Sequence, residues 1–182
     1  MQTIGFSLYM EMLDEAVTAV REGRTPDFDQ TESAHAEVDL KIPALIPAGY
    51  LNDVPLRLEL YKRISSATSE ELLSDIEIEL IDRFGLLPPQ VKNLVQQAKI
   101  RLIAESLGIK QITVGPQSGR IEFREKTKVD PMVLISLVQS KPNEYKLDGA
   151  TALKIIRETA GAEARLGFTQ EVLSALQRTA TT

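Results

Sequence analysis

The chain has 182 residues and is 43% hydrophobic, which suits one folded domain with a core and an appendage. It contains no cysteine, which excludes disulfides, thiolate nucleophiles and sulfur-ligated zinc. Its formal charge of −5 argues against unselective binding to nucleic-acid phosphates. No apolar run is long enough for a membrane span. We therefore expect a soluble, cytoplasmic domain.

The first predicted element is a helix over residues 6–24, whose apolar residues recur at helical spacing until Gly23 and Pro26 end it. No capping residue precedes this helix, as expected of a segment that continues upstream. Residues 25–34 are polar and aperiodic, which predicts a linker. Alternating apolar and polar residues over 36–42 then predict a half-buried strand.

Three helices are predicted next, over residues 55–66, 70–85 and 89–107. Asp53 can cap the first of them, and Gly108 ends the third. The second helix has the clearest boundaries and the least ordinary composition.

The helix over 70–85 has two chemically different faces. Thr68 and Glu71 can form a capping box at its start, and Gly85 can take the left-handed conformation at its end. Its apolar stripe should pack on the core and comprises Leu72, Leu73, Ile76, Leu80 and Phe84. Its carboxylates are Glu70, Glu71, Asp75, Glu77, Glu79 and Asp82. With Arg83 as the only cation, the helix carries a charge of −5, equal to that of the whole chain, and its acidic face is either solvated or a docking surface for another protein.

The second half of the chain predicts two hairpins and two helices. The strands are expected at 109–114 and 120–125, then at 144–147 and 152–156, each pair around a turn-rich sequence. The helices are expected at 131–138, where Asp130 caps and Pro131 opens the helix, and at 162–178. The fold class is therefore α+β, with helices packed against a small, mainly antiparallel sheet.

No motif for catalysis or cofactor binding is present. The chain lacks a phosphate-binding loop and a nucleophile elbow, and His35, the only histidine, is expected to be an inert surface side chain. Asp75, Glu79 and Asp82 share a helix face, and two carboxylates can act as acid and base. That chemistry needs a cleft that desolvates one of them, whereas carboxylates on an exposed helix stay hydrated. We predict no catalytic residue, no metal and no cofactor.

The first hairpin region, residues 109–128, is locally basic, with a charge of +3. Its cations are Lys110, Arg120, Arg124, Lys126 and Lys128, against Glu122 and Glu125. Alternation places Arg120, Glu122 and Arg124 on one sheet face. That face is open to three interpretations: a nucleic-acid contact, a solvated surface, or an internal partner for acidic groups elsewhere.

Five segments of irregular composition resemble the C-terminal end of bacterial transcription-repair coupling factor. They are IGFSLYMEMLDEAV from residue 4, LIPAGYLNDVPLRLELYKRISSA from residue 45, ELIDRFGLLPPQV from residue 79, FREKTKVDP from residue 123 and YKLDGATALK from residue 145. They follow one another in the family's order over essentially the whole chain.

The resemblance implies a domain organisation and a function. Residues 1–34 are expected to be the end of a motor portion and a polar linker, and residues 35–182 the terminal regulatory domain. The whole family protein is an ATP-driven DNA translocase that pushes on stalled RNA polymerase and recruits UvrA. By resemblance, the terminal domain packs on the UvrA-binding module, hides it and restrains the motor until polymerase is engaged. ATP, magnesium and DNA then belong to the motor rather than to this chain.

Carried onto this sequence, the ELIDRFG motif implies that Glu79, Asp82 and Arg83 are the contacts to the masked module. Asp75, on the same helix face, joins them as a candidate. Arg83 can either meet an acidic partner or pair with Glu79 within the helix. The alternative function is an accessory nucleic-acid-binding domain of the same translocase, which would use the basic hairpin at 109–128.

Overall fold

The computed structural model describes residue 13, residues 16–18 and 21–23, and the continuous stretch 35–178. Of the predicted first helix, residues 13, 16–18, 21 and 22 are helical and Gly23 lies in a turn, while its other residues and the predicted linker lie outside the described residues. The later elements are β1 (Glu37–Asp39), α1 (Val54–Ser66), α2 (Glu70–Phe84), α3 (Pro89–Leu107), β2 (Ile109–Val114), β3 (Ser118–Phe123), α4 (Pro131–Ser140), β4 (Tyr145–Leu147), β5 (Ala152–Ile156) and α5 (Gly161–Gln177). None of the described helices is long and apolar enough to cross a membrane.

The five strands form one sheet in the order β1-β2-β3-β5-β4. Only β1 and β2 are parallel, and every other neighbouring pair is antiparallel, which confirms the α+β class and the mainly antiparallel sheet. Ile112, Ile121 and Leu153 lie side by side across three strands and are all buried. The next row carries Arg120 and Lys154, which are exposed. One face of the sheet therefore belongs to the core, and the other faces water.

Two hydrophobic cores lie along the chain, and α3 contributes to both. Its first half packs with α1 and α2, through Val91, Val95 and other residues. Its second half packs on the sheet together with α5, through Ile100 and Ala104. The helical core and the sheet core are thus joined by one continuous helix.

Most helix boundaries follow the predicted capping chemistry. The Asp53 carboxylate accepts a hydrogen bond from the backbone N–H of Leu56 at 2.8 Å. Asp130 accepts one from Met132, also at 2.8 Å. Gly108 ends α3 with a φ of 70°, and a Cβ there would lie 2.8 Å from Cα of Thr127, so no other residue fits without a shift of the chain.

Two predictions for α2 are wrong. The N-cap is Ser69, whose hydroxyl accepts from the N–H of Leu72, because the helix begins at Glu70 and Thr68 lies one residue too far upstream. Leu72 is 47% exposed rather than part of the core stripe. Each helical residue turns the side chain by about 100°, so burying Leu73 turns Leu72 out of the interface.

Candidate functional site

The four residues predicted as contacts lie together on the outward side of α2. Asp75, Asp82 and Arg83 are exposed, and Glu79 is half-buried. Asp75 and Asp82, seven residues apart, point away from the buried Leu73, Ile76 and Leu80, whereas Glu79 and Arg83 lie beside that stripe. The structure therefore brings the predicted set together, although its members have different surroundings.

Glu79 is held inside an ion-pair cluster of its own chain. One carboxylate oxygen accepts from Nη2 of Arg63 on α1 at 2.7 Å, and the other accepts from Nη1 of Arg83 at 2.6 Å. The hydrogen bond from Arg63, and then that from Arg83, hold the pKa of Glu79 below its usual value. Both oxygens are occupied, so Glu79 links α1 to α2 instead of standing free.

The C-terminal end of α2 is fixed by a small aromatic cluster that the sequence patterns did not indicate. The guanidinium of Arg83 lies 5.0 Å from the centroid of the Phe84 ring, and Tyr50 meets that ring edge-on at 6.0 Å. The hydroxyl of Tyr50 lies 3.0 Å from the carbonyl oxygen of Leu80 and 2.9 Å from that of Gly85. The outward face of α2 is thus presented on a rigid helix end.

Some of the remaining carboxylates of α2 accept hydrogen bonds within the chain, and others have no partner among the described residues. Glu77 accepts a hydrogen bond from Nζ of Lys99 on α3 at 2.9 Å. The pKa of Glu71 is lowered by hydrogen bonds from its own backbone N–H and from Ser69. Within the part of the chain that the structure describes, Glu70, Asp75 and Asp82 make no side-chain hydrogen bond or ion pair. The acidity that faces solvent without a counter-charge is therefore narrower than the sequence suggested.

Exposed apolar side chains lie among these carboxylates. Ile78 is 57% exposed and Ile81 42%, and Leu86 follows the helix at 87%. These residues fall outside the apolar stripe that helical spacing predicts for the core. The sequence pattern that could have indicated them is an apolar residue at an outward position of an amphipathic helix.

Two cations of the basic hairpin, Arg120 and Lys110, are paired with carboxylates of the same chain. Arg120 donates to Asp148 at 3.0 Å and to Glu122 at 2.7 Å, and Lys110 lies 3.3 Å from Glu122. The hydrogen bonds from Arg120 and Lys110 lower the pKa of Glu122. Of the three interpretations left open by the sequence, internal pairing describes this part of the surface best.

His35 is not the inert surface side chain that its position in the sequence predicted. Its Nδ1 lies 2.9 Å from a carboxylate oxygen of Glu105 on α3. The same oxygen accepts from the buried Arg101 at 2.9 Å, and Arg101 also donates to the carbonyl of Ala67 at the end of α1 at 2.8 Å. This network lies where the two cores meet. Among the described residues, no group of His, Asp or Glu side chains is arranged to hold a metal ion.

Comparison with known proteins gives a consistent result. The family model for the TRCF domain matches residues 40–134, just over half of the chain. A transcription-repair-coupling factor of Haemophilus influenzae is 44% identical over 94% of this chain, and that of Escherichia coli is 43% identical over 99%. The chain spans only 15% and 16% of these relatives.

A crystal structure of the C-terminal domain of transcription-repair coupling factor superimposes with a TM-score of 0.62. The alignment covers 79% of this chain and 94% of that domain, at 21% sequence identity. The two proteins share a fold.

Proposed function

The chain belongs to the transcription-repair-coupling factor family, and from that premise we propose that it is the autoinhibitory docking domain of a DNA-repair translocase. In this proposal, residues 35–182 pack on the UvrA-binding module of the parent protein. They mask that module and restrain the motor until RNA polymerase is engaged. Residues 1–34 are the end of the motor portion, which itself binds ATP, magnesium and DNA. The parent acts in the cytoplasm, and this chain catalyses no reaction by itself.

The observation that carries the proposal is that two unpaired carboxylates, seven residues apart, lie on one outward face of α2. Asp75 and Asp82 face outward from a capped helix without a counter-charge among the described residues, while Glu77 and Glu79 are paired within the chain. A basic surface on the masked module would supply the missing charge. We therefore assign the direct contacts to Asp75 and Asp82.

Glu79 and Arg83 have a different role in this assignment. Glu79 links α2 to α1 through its ion pair with Arg63, and Arg83 neutralises part of the negative charge of Glu79. Together they position the helix and leave its outer carboxylates to the partner.

The expected interaction energies suit a reversible contact between this domain and the UvrA-binding module. Exposed ion pairs contribute about 0.2–1 kcal/mol each, so a few of them hold two surfaces together only weakly. Moving a two-state balance from 1:99 to 99:1 takes about 5.5 kcal/mol, which a large partner such as RNA polymerase can supply through its own contacts.

Isothermal titration of the 182-residue chain with the UvrA-binding module of its parent tests the proposal. We expect binding that weakens between about 0.05 and 0.5 M salt, and a loss of at least tenfold in affinity for the Asp75→Lys/Asp82→Lys double variant. The matched control is Glu125→Lys/Glu158→Lys, which makes the same change in net charge at exposed residues off the helix. Equal affinities of the two double variants would overturn the assignment of α2, and absence of binding by the wild-type chain would overturn the function.

A further inference from the structure

We propose that Ile78 is the apolar centre of the docking surface on α2, and that this surface fits a basic protein surface with an apolar side chain between its cations. The inference rests on the proposed function and adds to it the chemistry of the partner. Its basis is the combination of an exposed isoleucine with unpaired carboxylates on both sides.

The geometry is a single outward stripe along the helix. Glu71, Asp75, Ile78 and Asp82 follow one another at spacings of four, three and four residues, which places them on one line of the helix surface. Asp75 and Asp82 are seven residues apart, or about 10.5 Å along the axis. Ile78 lies between them with 57% of its surface exposed.

The charges around Ile78 come from three elements. On α2, Asp75 and Asp82 flank it without counter-charges among the described residues. The cations that reach α2 from elsewhere, Arg63 on α1 and Lys99 on α3, are bound to Glu79 and Glu77. The stripe is therefore negative at both ends and apolar in the middle.

This arrangement favours one class of partner. Nucleic acid is repelled by the carboxylates, and a purely apolar groove would leave both of them buried without a counter-charge. A surface with two cationic side chains about 10 Å apart can pair with Asp75 and Asp82 while an apolar group between them covers Ile78. Covering Ile78 also excludes water from the flanking ion pairs, which strengthens them. Arginine suits such a surface, because its guanidinium pairs with a carboxylate in two hydrogen bonds and its stem packs on apolar groups.

The test is an isothermal titration of single variants of the 182-residue chain against the parent's UvrA-binding module. Ile78→Ala keeps every charge and favours the helix, and we expect it to weaken binding about tenfold. Ile78→Met keeps an apolar side chain and should restore most of the affinity. The control is Ile135→Ala, which removes an exposed isoleucine from α4, a helix that packs against the sheet core through other residues. Circular dichroism shows whether each variant keeps its helix content.

The possible outcomes separate the inference from the function on which it rests. If wild-type chain binds and Ile78→Ala binds equally well, the inference is wrong and the function stands on its ion pairs alone. If Asp75→Lys/Asp82→Lys and Ile78→Ala both weaken self-association of the chain in sedimentation, while the module does not bind, the partner is a second copy and both proposals fail.

Discussion

At the scale of single residues, the candidate site depends on which carboxylates are already paired. Glu79 and Asp82 look equivalent in the sequence, since both lie on the acidic side of one helix. In the structure, both oxygens of Glu79 accept hydrogen bonds from arginines, and Asp82 has no such bond among the described residues. Reversal of Glu79 would therefore disturb the domain itself, while reversal of Asp82 changes only its surface.

The stability of the chain should depend on pH through Glu79. Its pKa is lowered in the folded state, so its stabilising contribution is present above the unfolded value near 4.5 and is lost as the pH falls through the folded value. We expect Glu79→Gln to lower the free energy of unfolding at pH 7 by about 1 kcal/mol or less, because the cluster is partly exposed. The difference in the free energy of unfolding between Glu79→Gln and wild type should shrink as the pH falls from 5 to 3.

Urea unfolding at several pH values measures this effect. Asp82→Asn is the control, because it removes a carboxylate of the same helix that has no counter-charge among the described residues. A constant difference between Glu79→Gln and wild type from pH 7 to pH 3 would show that the ion pairs with Arg63 and Arg83 do not stabilise the fold.

At the scale of elements, α3 joins the two cores, so we expect them to unfold together. Its 19 residues contribute to the helical core first and to the sheet core afterwards. Near its middle, the buried Arg101 pairs with Glu105 and donates to the carbonyl of Ala67, one of the free carbonyl groups at the end of α1. One side chain thereby satisfies polar groups from both sides of the boundary.

Arg101→Met should destabilise both cores together. The substitution keeps much of the apolar volume and leaves the carbonyl of Ala67 and the carboxylate of Glu105 without this donor, so we expect a loss of about 2–4 kcal/mol. Because α3 is continuous, we expect one cooperative urea transition, followed in parallel by circular dichroism and tyrosine fluorescence. Lys92→Met, at an exposed position of the same helix, is the control. Similar losses in the two variants, or two separate transitions in wild type, would contradict this role.

At the scale of the whole molecule, the distribution of charge favours a protein partner over DNA. The net charge is −5, and the cations Arg120 and Lys110 of the basic hairpin are paired with Glu122 and Asp148. Lys126 and Lys128 are exposed and make no ion pair with the described residues, so they are the strongest remaining candidates for a phosphate contact.

Filter binding with duplex DNA tests the accessory nucleic-acid function. We expect weak retention at about 0.05 M salt, none at physiological salt, and little change for Arg120→Ala, since its charge is already neutralised. Lys126→Ala/Lys128→Ala should behave like Lys92→Ala, an exposed lysine of α3. Tight binding that the hairpin variants alone abolish would favour the nucleic-acid function over docking.

The sequence by itself determined the elements and the class of the fold. Capping and terminating residues are local signals, so Asp53, Asp130 and Gly108 mark helix ends that the structure confirms. Periodicity likewise predicted the strands of the two hairpins, because side chains alternate across a sheet whatever the rest of the chain does. The bounds of β3 were predicted less well, since the strand runs from Ser118 to Phe123 rather than over 120–125. The sequence also determined that α2 carries a net charge of −5, equal to the net charge of the whole chain.

Only the tertiary structure decided which charges are free and which apolar residues are buried. Arg63 and Glu79 are 16 residues apart, and His35 and Glu105 are 70 apart, so no local pattern could pair them. The exposure of Leu72 and Ile78 likewise depends on how α2 packs against α1 and α3. Pairing and burial are properties of neighbours in space, and for that reason the proposed docking site narrows from a whole acidic face to Asp75, Ile78 and Asp82.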